Sequence, residues 1–312
     1  MARGFTEEGV NKHMSTYLVT GGAGFIGSHA CQTLLKEGHH VRVLDNFSTG
    51  KRERLFPGIE LFEADITNLE AIRPAFEGID GVFHFAALPR IVYSIEHPIE
   101  TMQANVMGTL NVLVAARDAK VSRLVYSASS SAYGDQKVLP LRPDMPAHPL
   151  NPYALHKYVG ELLCEEFSRL YGLSTVCLRY FNVYGPRMAD EGAYVTVIAI
   201  FRRQRAAGLP MTIHGDGGQT RDFTHVTDVV RANILAMNSG KVGNGEVLNV
   251  GAGEQHSVNE IAQLIGGPIA YLSPRVNEAR DTLADTTLTK ELLGWEPNIK
   301  FVDGLKMLLE EK

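Results

Sequence analysis

A short run of apolar and β-branched residues, Ser15–Thr20, leads directly into Gly21-Gly-Ala-Gly24-Phe-Ile-Gly27 and then into an amphipathic stretch reaching about Glu37. The run suits a buried strand of a parallel sheet, covered on both faces. In such a strand–turn–helix unit the first glycine, Gly21, allows a tight turn. The second, Gly24, lets the backbone approach a pyrophosphate, and the third, Gly27, lets helix and strand pack closely. The helix start offers N–H groups and the positive end of its dipole to the phosphates. Gly21, Gly24, Phe25, Ile26 and Gly27 are therefore candidate dinucleotide contacts. The flanking strand and helix distinguish the pattern from a chance run of glycines.

Strand and helix go on alternating. His40–Leu44 ends in Asp45, 18 residues after Gly27. An acid there accepts hydrogen bonds from both ribose hydroxyls of an adenosine and repels the extra phosphate of NADP, which points to NAD. Asn46 is its neighbour in the same candidate site. Ile59–Glu63 leads to Asp65 and Ile66, placed at the adenine edge. Gly81–Phe85 leads to Ala86 and Ala87, small residues where a strand end passes beneath a cofactor; His84 reads as a packed strand residue. A long helical stretch from about Pro98 to Asp118 carries Asn105, a polar residue that either steadies the cofactor site or satisfies the core. Arg123–Ser127 runs into Ala128-Ser129-Ser130-Ser131-Ala132-Tyr133-Gly134. Ligands of such sheets sit outside the carboxyl ends of the strands, so these serines face the crevice. A serine hydroxyl there can hydrogen-bond a substrate oxygen that loses its proton. The alternation predicts an α/β fold, a Rossmann-type doubly wound parallel sheet covered on both faces.

The 312 residues, 45% of them hydrophobic, suffice for one large domain or two unequal lobes. The net charge of −5 and the lack of a basic run argue against nucleic acid, and no apolar run has membrane-spanning length. Cys31, Cys164 and Cys177 are odd in number and lack metal-like spacing. They read as reduced, buried thiols of a cytoplasmic protein, and no metal site is expected. Residues 1–13 are polar and end before a second methionine, Met14, so they read as an added leader or disordered extension and not as a targeting peptide.

Asn151-Pro-Tyr153-Ala-Leu-His-Lys157 carries the chemistry. Pro152 fits the first turn of a helix. Tyr153 and Lys157 then lie one turn apart on one face. A free tyrosine, with a pKa of about 10, is a poor base at neutral pH. An ammonium one turn away favours the phenolate, so the pair can take a proton from a sugar or alcohol hydroxyl.

The glycine turn, Asp45, the Ser129 segment and Tyr153-x-x-x-Lys157 together resemble the extended short-chain dehydrogenase/reductase family. Within it, Leu178-Arg-Tyr-Phe-Asn182-Val-Tyr-Gly185-Pro186, Gly217-Gly-Gln-Thr-Arg221-Asp-Phe and Leu283-Ala-Asp285 resemble nucleotide-sugar 4-epimerases. The resemblance spans nearly all of the chain from Met14. It implies NAD held through turnover and a UDP-sugar substrate. Tyr153 is the implied base and acid. Lys157 lowers its pKa and holds the nicotinamide ribose, and Ser129 shares the substrate's 4-hydroxyl. Ser127 and Tyr180 join the cofactor site, and Ser130 and Ser131 join the substrate site. Asn182 contacts the sugar diphosphate, and Arg221 and Arg275 bind the pyrophosphate. Relatives that dehydrate carry Asp-Glu where this chain has Ser130-Ser131, and relatives that decarboxylate carry Glu at Ser131. Both chemistries need a carboxyl group beside the sugar, so the hydroxyls here point to epimerisation at carbon 4.

Beyond Phe181, Gly192–Ala207 reads as a helix, Met211–His214 as a strand, and Arg221–Thr224 and Val247–Val250 as strands flanking a helix at about Val226–Met237. The resemblance returns that last helix and strand to the first domain. The expected division is 14–180 with about 222–250 for NAD, and about 181–221 with 251–312 for the UDP-sugar. His214 reads as an exposed loop histidine, and Trp295 is expected to pack the C-terminal lobe. Leu88–Ser94 is expected to line the sugar pocket, where Arg90 or Arg203 could meet a glucuronate carboxylate. Thr282 matches a position at the pocket wall. A tyrosine there restricts the pocket to plain hexoses, whereas a small residue leaves room for a 2-N-acetyl group. The substrates implied are UDP-glucose/UDP-galactose and UDP-GlcNAc/UDP-GalNAc. The alternatives are a UDP-glucuronate 4-epimerase, a net nucleotide-sugar reductase with exchangeable NAD, and a dinucleotide-binding protein without catalysis. The resemblance also implies a homodimer through the helices at Pro98–Asp118 and Tyr153–Tyr171. Leu162, Leu163 and Phe167 are compatible with that contact or with core packing.

Overall fold

The computed structural model describes residues 14–89, 91–188, 196–274 and 279–310. Seven strands form one parallel sheet: β1 (Thr16–Thr20), β2 (His40–Asp45), β3 (Glu60–Glu63), β4 (Gly81–His84), β5 (Arg123–Ser129), β6 (Ser174–Tyr180) and β7 (Asn244–Val250). Their order is β7-β6-β5-β4-β1-β2-β3. The direction of winding reverses between β1 and β4, which opens a crevice at the carboxyl ends of those two strands. The expected doubly wound sheet is therefore observed.

The inner strands are apolar throughout because both faces are covered. Val19, Val43, Phe83 and Val125 point to one side and pack on Cys31 and Leu34 of the helix Phe25–Lys36 and Val229 and Ala232 of the helix Val226–Asn238. Leu18, Leu44, Val82 and Leu124 point to the other side, against Val112 and Leu113 of Gly108–Asp118 and Cys164 and Phe167 of Pro152–Tyr171. The three cysteines are buried and form no disulfide. A separate cluster, including Tyr184, Phe201, Ile213, Phe223, Ile261 and Phe301, makes the core of a smaller lobe. That lobe is tied by short pairings, such as Met211–His214 with Ile269–Leu272.

Several expectations are corrected. The strand expected at Arg221–Thr224 is two pieces, Thr220–Arg221 and Thr224–His225, which pair with different partners. Asp222 and Phe223, between them, are fully buried. The helix expected from Gly192 is described as Val197–Ala206, and its first expected residues lie outside the described ones. The stretch Pro98–Asp118 is helical but not uniformly so, because a π-helical turn, Gln103–Met107, separates Pro98–Met102 from Gly108–Asp118. Trp295 is buried in the core of the large sheet beside Leu293 and Leu248, and its indole N–H donates to Asp228 O at 2.9 Å. It therefore fastens the late helix Thr287–Leu293 to the first domain and does not pack the C-terminal lobe. Phe167 is core and Leu163 leans on it, which leaves Leu162 exposed. Among the described residues, no helix is long and apolar enough to cross a membrane, and no group of three His, Cys, Asp or Glu could hold a metal ion.

Candidate active site

One cleft of about 2460 Å³ runs across the carboxyl ends of the strands and under the smaller lobe. It brings together the candidate residues of the sequence with few exceptions: Arg90 and Arg275 lie outside the described residues, Asn105 lies beneath the cleft floor, and Tyr93 and Ser94, expected to line the pocket, are not in its wall.

At one end the glycine turn forms a cradle. Gly21 has φ +69°, and a Cβ there would stand 2.7 Å from Ala86 N. A Cβ on Gly27 would stand 2.2 Å from Gly21 O. Neither position tolerates a side chain, so bare backbone is what this turn presents to a ligand. The helix Phe25–Lys36 begins at Gly24 with no side-chain cap, so its first N–H groups face the cleft without a side-chain acceptor. Asp45 is buried at the end of β2. Its carboxylate accepts from Ala23 N at 2.9 Å and Phe47 N at 2.8 Å. Each oxygen keeps a second lone pair for a ribose hydroxyl. Asp65 accepts from Asn46 Nδ2 at 2.7 Å and Thr67 N at 2.8 Å. Burial opposes its charge, but the Thr67 and Asn46 donors outweigh burial and hold the carboxyl below its ordinary range.

The floor is the segment after β4, with Phe85, Ala86 and Ala87 in the cleft wall. Asn105 fastens it from below. Its amide accepts from Leu88 N at 2.7 Å and donates to Leu88 O at 3.1 Å. His84 is a packed strand residue, bonded to Thr20 Oγ1 at 2.7 Å and Thr109 Oγ1 at 3.0 Å. Burial lowers its pKa to about 3, so it is neutral.

At the centre, Asn151 caps the helix Pro152–Tyr171 by accepting from Ala154 N at 3.0 Å. Tyr153 N donates to Ser94 Oγ at 3.0 Å, so Ser94, expected to line the pocket, anchors the helix start instead. Lys157 Nζ donates to Ser127 O at 2.7 Å and lies 5.0 Å from the centre of the Tyr126 ring. Burial lowers its pKa to about 8. Burial pushes the Tyr153 phenol above its ordinary value, and Ser129 acts against burial. Tyr180 closes this wall, its hydroxyl donating to Asn233 Oδ1 at 2.9 Å.

At the far end stand Asn182, Arg221 and Thr282, drawn together by Asp222, which the sequence reading passed over. Asp222 O accepts from Asn182 Nδ2 at 2.8 Å, and Asp222 N donates to Thr282 Oγ1 at 3.3 Å. Its carboxylate accepts from Ala252 N, Gly253 N and Ala284 N at 2.7–3.0 Å. Burial pushes that carboxyl up to about 6 against these three donors. A lone Asp after Arg221 carries no signal of this, because its partners are 30 and more residues away in sequence. Arg221 Nη1 donates to Thr220 O and Arg280 O, both at 2.9 Å. Arg54, Arg187 and Arg203 also line the cleft, giving it cations suited to a diphosphate. His214 is outside it, its Nδ1 2.9 Å from Ser273 O.

The geometry is that of a dinucleotide cradle continuous with a site where a tyrosine, a lysine and serines meet. The comparisons agree with it. The sequence model of the NAD dependent epimerase/dehydratase family matches residues 17–251. The chain is similar to a UDP-glucose 4-epimerase of Mycolicibacterium smegmatis, 36% identical over 311 residues, which cover 94% of this chain and 97% of that one. A solved UDP-glucose 4-epimerase of Thermotoga maritima, with UDP-glucose, superposes with a TM-score of 0.90 at 38% identity, over 95% of this chain and 97% of that one. A UDP-glucuronic acid 4-epimerase of Bacillus cereus, in complex with UDP-glucuronic acid and NAD, superposes with a TM-score of 0.86 at 32% identity, over 95% and 98%. Other relatives are named UDP-glucuronic acid decarboxylase and UDP-N-acetylglucosamine 4-epimerase. The cofactor is NAD, which the glycine cradle and Asp45 fit. With its cradle, its Tyr-Lys pair and its similarity over nearly its whole length, this chain belongs to the NAD dependent epimerase/dehydratase family.

Proposed function

We propose that the chain is a UDP-sugar 4-epimerase that inverts carbon 4 of UDP-glucose or UDP-galactose and accepts the 2-N-acetyl sugars as well. The observation that carries this reading is the set of groups around Tyr153. Ser129, Ser130 and Ser131 present hydroxyls, and no carboxylate lies in that turn. Dehydration and decarboxylation call for a carboxyl group there.

In this reading Gly21, Gly24 and Gly27 receive the pyrophosphate, Asp45 the adenosine ribose, and Lys157 the nicotinamide ribose. NAD, when bound, accepts the hydrogen of carbon 4 with its electron pair and later gives it back. Tyr153 takes the 4-hydroxyl proton and returns it after the 4-keto sugar has turned over. Ser129 hydrogen-bonds the same oxygen. Asn182 and Arg221 hold the diphosphate, so the sugar turns about a fixed anchor and the reacting atoms stay close. Arg203 in the cleft wall supports a second reading, in which the sugar is glucuronate. We also propose that the active form is a homodimer.

Proton NMR of the purified protein with UDP-glucose, UDP-GlcNAc and UDP-glucuronate, with no NAD added, tests the reading. Conversion of a gluco sugar to its galacto epimer is expected, and the sugar that converts identifies the substrate. Turnover only with added NAD, in proportion to product, would replace the epimerase with a net dehydrogenase.

A further inference from the structure

A chain of polar groups runs through the core beneath the cleft floor. Ala86 N donates to Thr20 Oγ1 at 3.3 Å, and Thr20 Oγ1 lies 2.7 Å from His84 Nδ1. His84 Nε2 lies 3.0 Å from Thr109 Oγ1, which donates to Asn105 O at 2.7 Å. Thr20, His84 and Thr109 are buried, and none of the three lines the cleft. The two ends of the chain fix every proton between them. A backbone carbonyl only accepts and a threonine hydroxyl has one proton, so Thr109 gives its proton to Asn105 O and accepts from His84. His84 therefore carries its proton on Nε2. Its bare Nδ1 accepts from Thr20, whose oxygen accepts the Ala86 N–H in turn. A second ring proton would meet the Thr20 proton head on, and burial and the Lys157 charge both oppose it. The titratable groups facing this ring are Lys157 and Tyr126, whose ring centre is 5.7 Å away.

The chain closes into a circuit. Asn105, whose carbonyl ends it, also binds Leu88 N and Leu88 O through its side-chain amide. The floor segment Ala86–Leu88 is thus held at its first residue through His84 and at its last through Asn105. Thr20 precedes Gly21, where a Cβ would stand 2.7 Å from Ala86 N, so the circuit also sets the floor against the glycine turn. We propose that His84 is a positioning residue for NAD, one that holds the floor against the glycine turn so that the dinucleotide meets a preformed surface. This rests on NAD as the cofactor and not on which sugar is turned over. All the bonds from Ala86 to Asn105 point in one sense, so each strengthens the next. A floor already ordered needs no ordering when the ligand binds, and so the chain supports affinity without touching the ligand.

Two measurements on the NAD-loaded protein test this. Nitrogen-15 NMR of histidine-labelled protein reads the tautomer. The His84 ring is expected to show a protonated Nε2 and a bare Nδ1, unchanged from neutral pH down to about pH 5. The second measurement is the rate at which bound NAD exchanges with labelled NAD. His84→Phe removes both the donor and the acceptor of the ring, and Thr109→Val removes the far link at nearly equal volume. Each is expected to release NAD about tenfold faster, the size of one lost hydrogen bond felt in the off-rate. Thr109→Ser keeps the hydroxyl and is expected to release NAD at the wild-type rate. Urea unfolding separates positioning from mere packing. If His84→Phe and Thr109→Val unfold more easily but exchange NAD like the wild type, the residue only packs the core and the proposal falls. It falls equally if His84 carries its proton on Nδ1. Should His84→Phe fail to fold, Thr109→Val decides the exchange arm. If the wild-type protein converts no UDP-sugar, the epimerase reading fails, while the tautomer and the NAD exchange still decide the role of His84.

Discussion

Lys157 is an almost fully buried charge in the cleft wall. Among the described residues its hydrogen-bond acceptor is Ser127 O, and burial holds its pKa near 8 where a free lysine stands at 10.5. A base held below its ordinary pKa binds fewer protons folded than unfolded. The cost of burying it is full below about pH 8 and fades as pH rises toward 10.5, so stability rises across that window. The difference amounts to about 3 kcal/mol at about 1.36 kcal/mol per unit. Urea unfolding of wild type and Lys157→Met over this range is expected to show the wild type gaining on the variant by up to that amount. A constant gap would mean the ammonium is not charged and buried as described. Thr282 belongs to the same scale. It is almost fully buried, and its hydroxyl is held by Asp222 N. Thr282→Tyr puts a ring into the pocket wall. It is expected to cut kcat/KM for UDP-GlcNAc by about 100-fold, since one overfilled pocket is worth about 1–3 kcal/mol, and to leave UDP-glucose within about threefold. Parallel NMR rates for the two sugars check it.

At the scale of elements, the π-helical turn Gln103–Met107 turns Asn105 inward, beneath the segment after β4. Such turns recur at functional sites because they redirect one side chain out of helical register. Here the redirected amide binds both backbone groups of Leu88 and so sets the height of Ala86 and Ala87 in the cleft floor. Asn105→Leu keeps the volume and removes both bonds. The expected loss is about 1–3 kcal/mol in urea unfolding, together with loss of NAD from the purified protein. Full retention of NAD would reduce Asn105 to a core residue. The helix Pro152–Tyr171 is held from two further sides. Its Glu161 forms a two-bond ion pair with Arg179 of β6, at 2.9 and 2.7 Å, and both residues are buried. Arg179 stacks 4.4 Å from the centre of the ring of Tyr133, the last residue of the serine turn Ser130–Tyr133. The helix bearing Tyr153 and the turn bearing Ser129 are thereby joined through one guanidinium.

At the scale of the molecule, Ile99, Met102, Met107, Leu155 and Leu162 are exposed on neighbouring helices of one flank. Leu155 and Leu162 are seven residues apart and share a face. A contiguous apolar flank of this kind is what a second copy would cover. Sedimentation at micromolar concentration is expected to give a dimer, and Leu162→Glu with Ile99→Glu a monomer. A wild-type monomer would remove the homodimer from the proposed function.

Read from its residues alone, the chain already specifies the large sheet, the glycine cradle, Asp45 and the Tyr153–Lys157 pair. Those depend on local rules: an apolar run for a strand covered on both faces, glycines where no Cβ fits, and a four-residue step on one helix face. The tertiary structure alone decides the rest, because the deciding partners are far apart in sequence. Trp295 joins the core of the first domain through Asp228, and Asp222 gathers Asn182, Ala252, Gly253, Thr282 and Ala284. The spacing of Tyr153 and Lys157 puts both on one helix face, and only the fold shows that Lys157 Nζ reaches Ser127 O and that burial raises the phenol. Sequence spacing places two side chains on one face. Which partner each one reaches, and how much water is left around it, is settled only when the sheet and helices close over them.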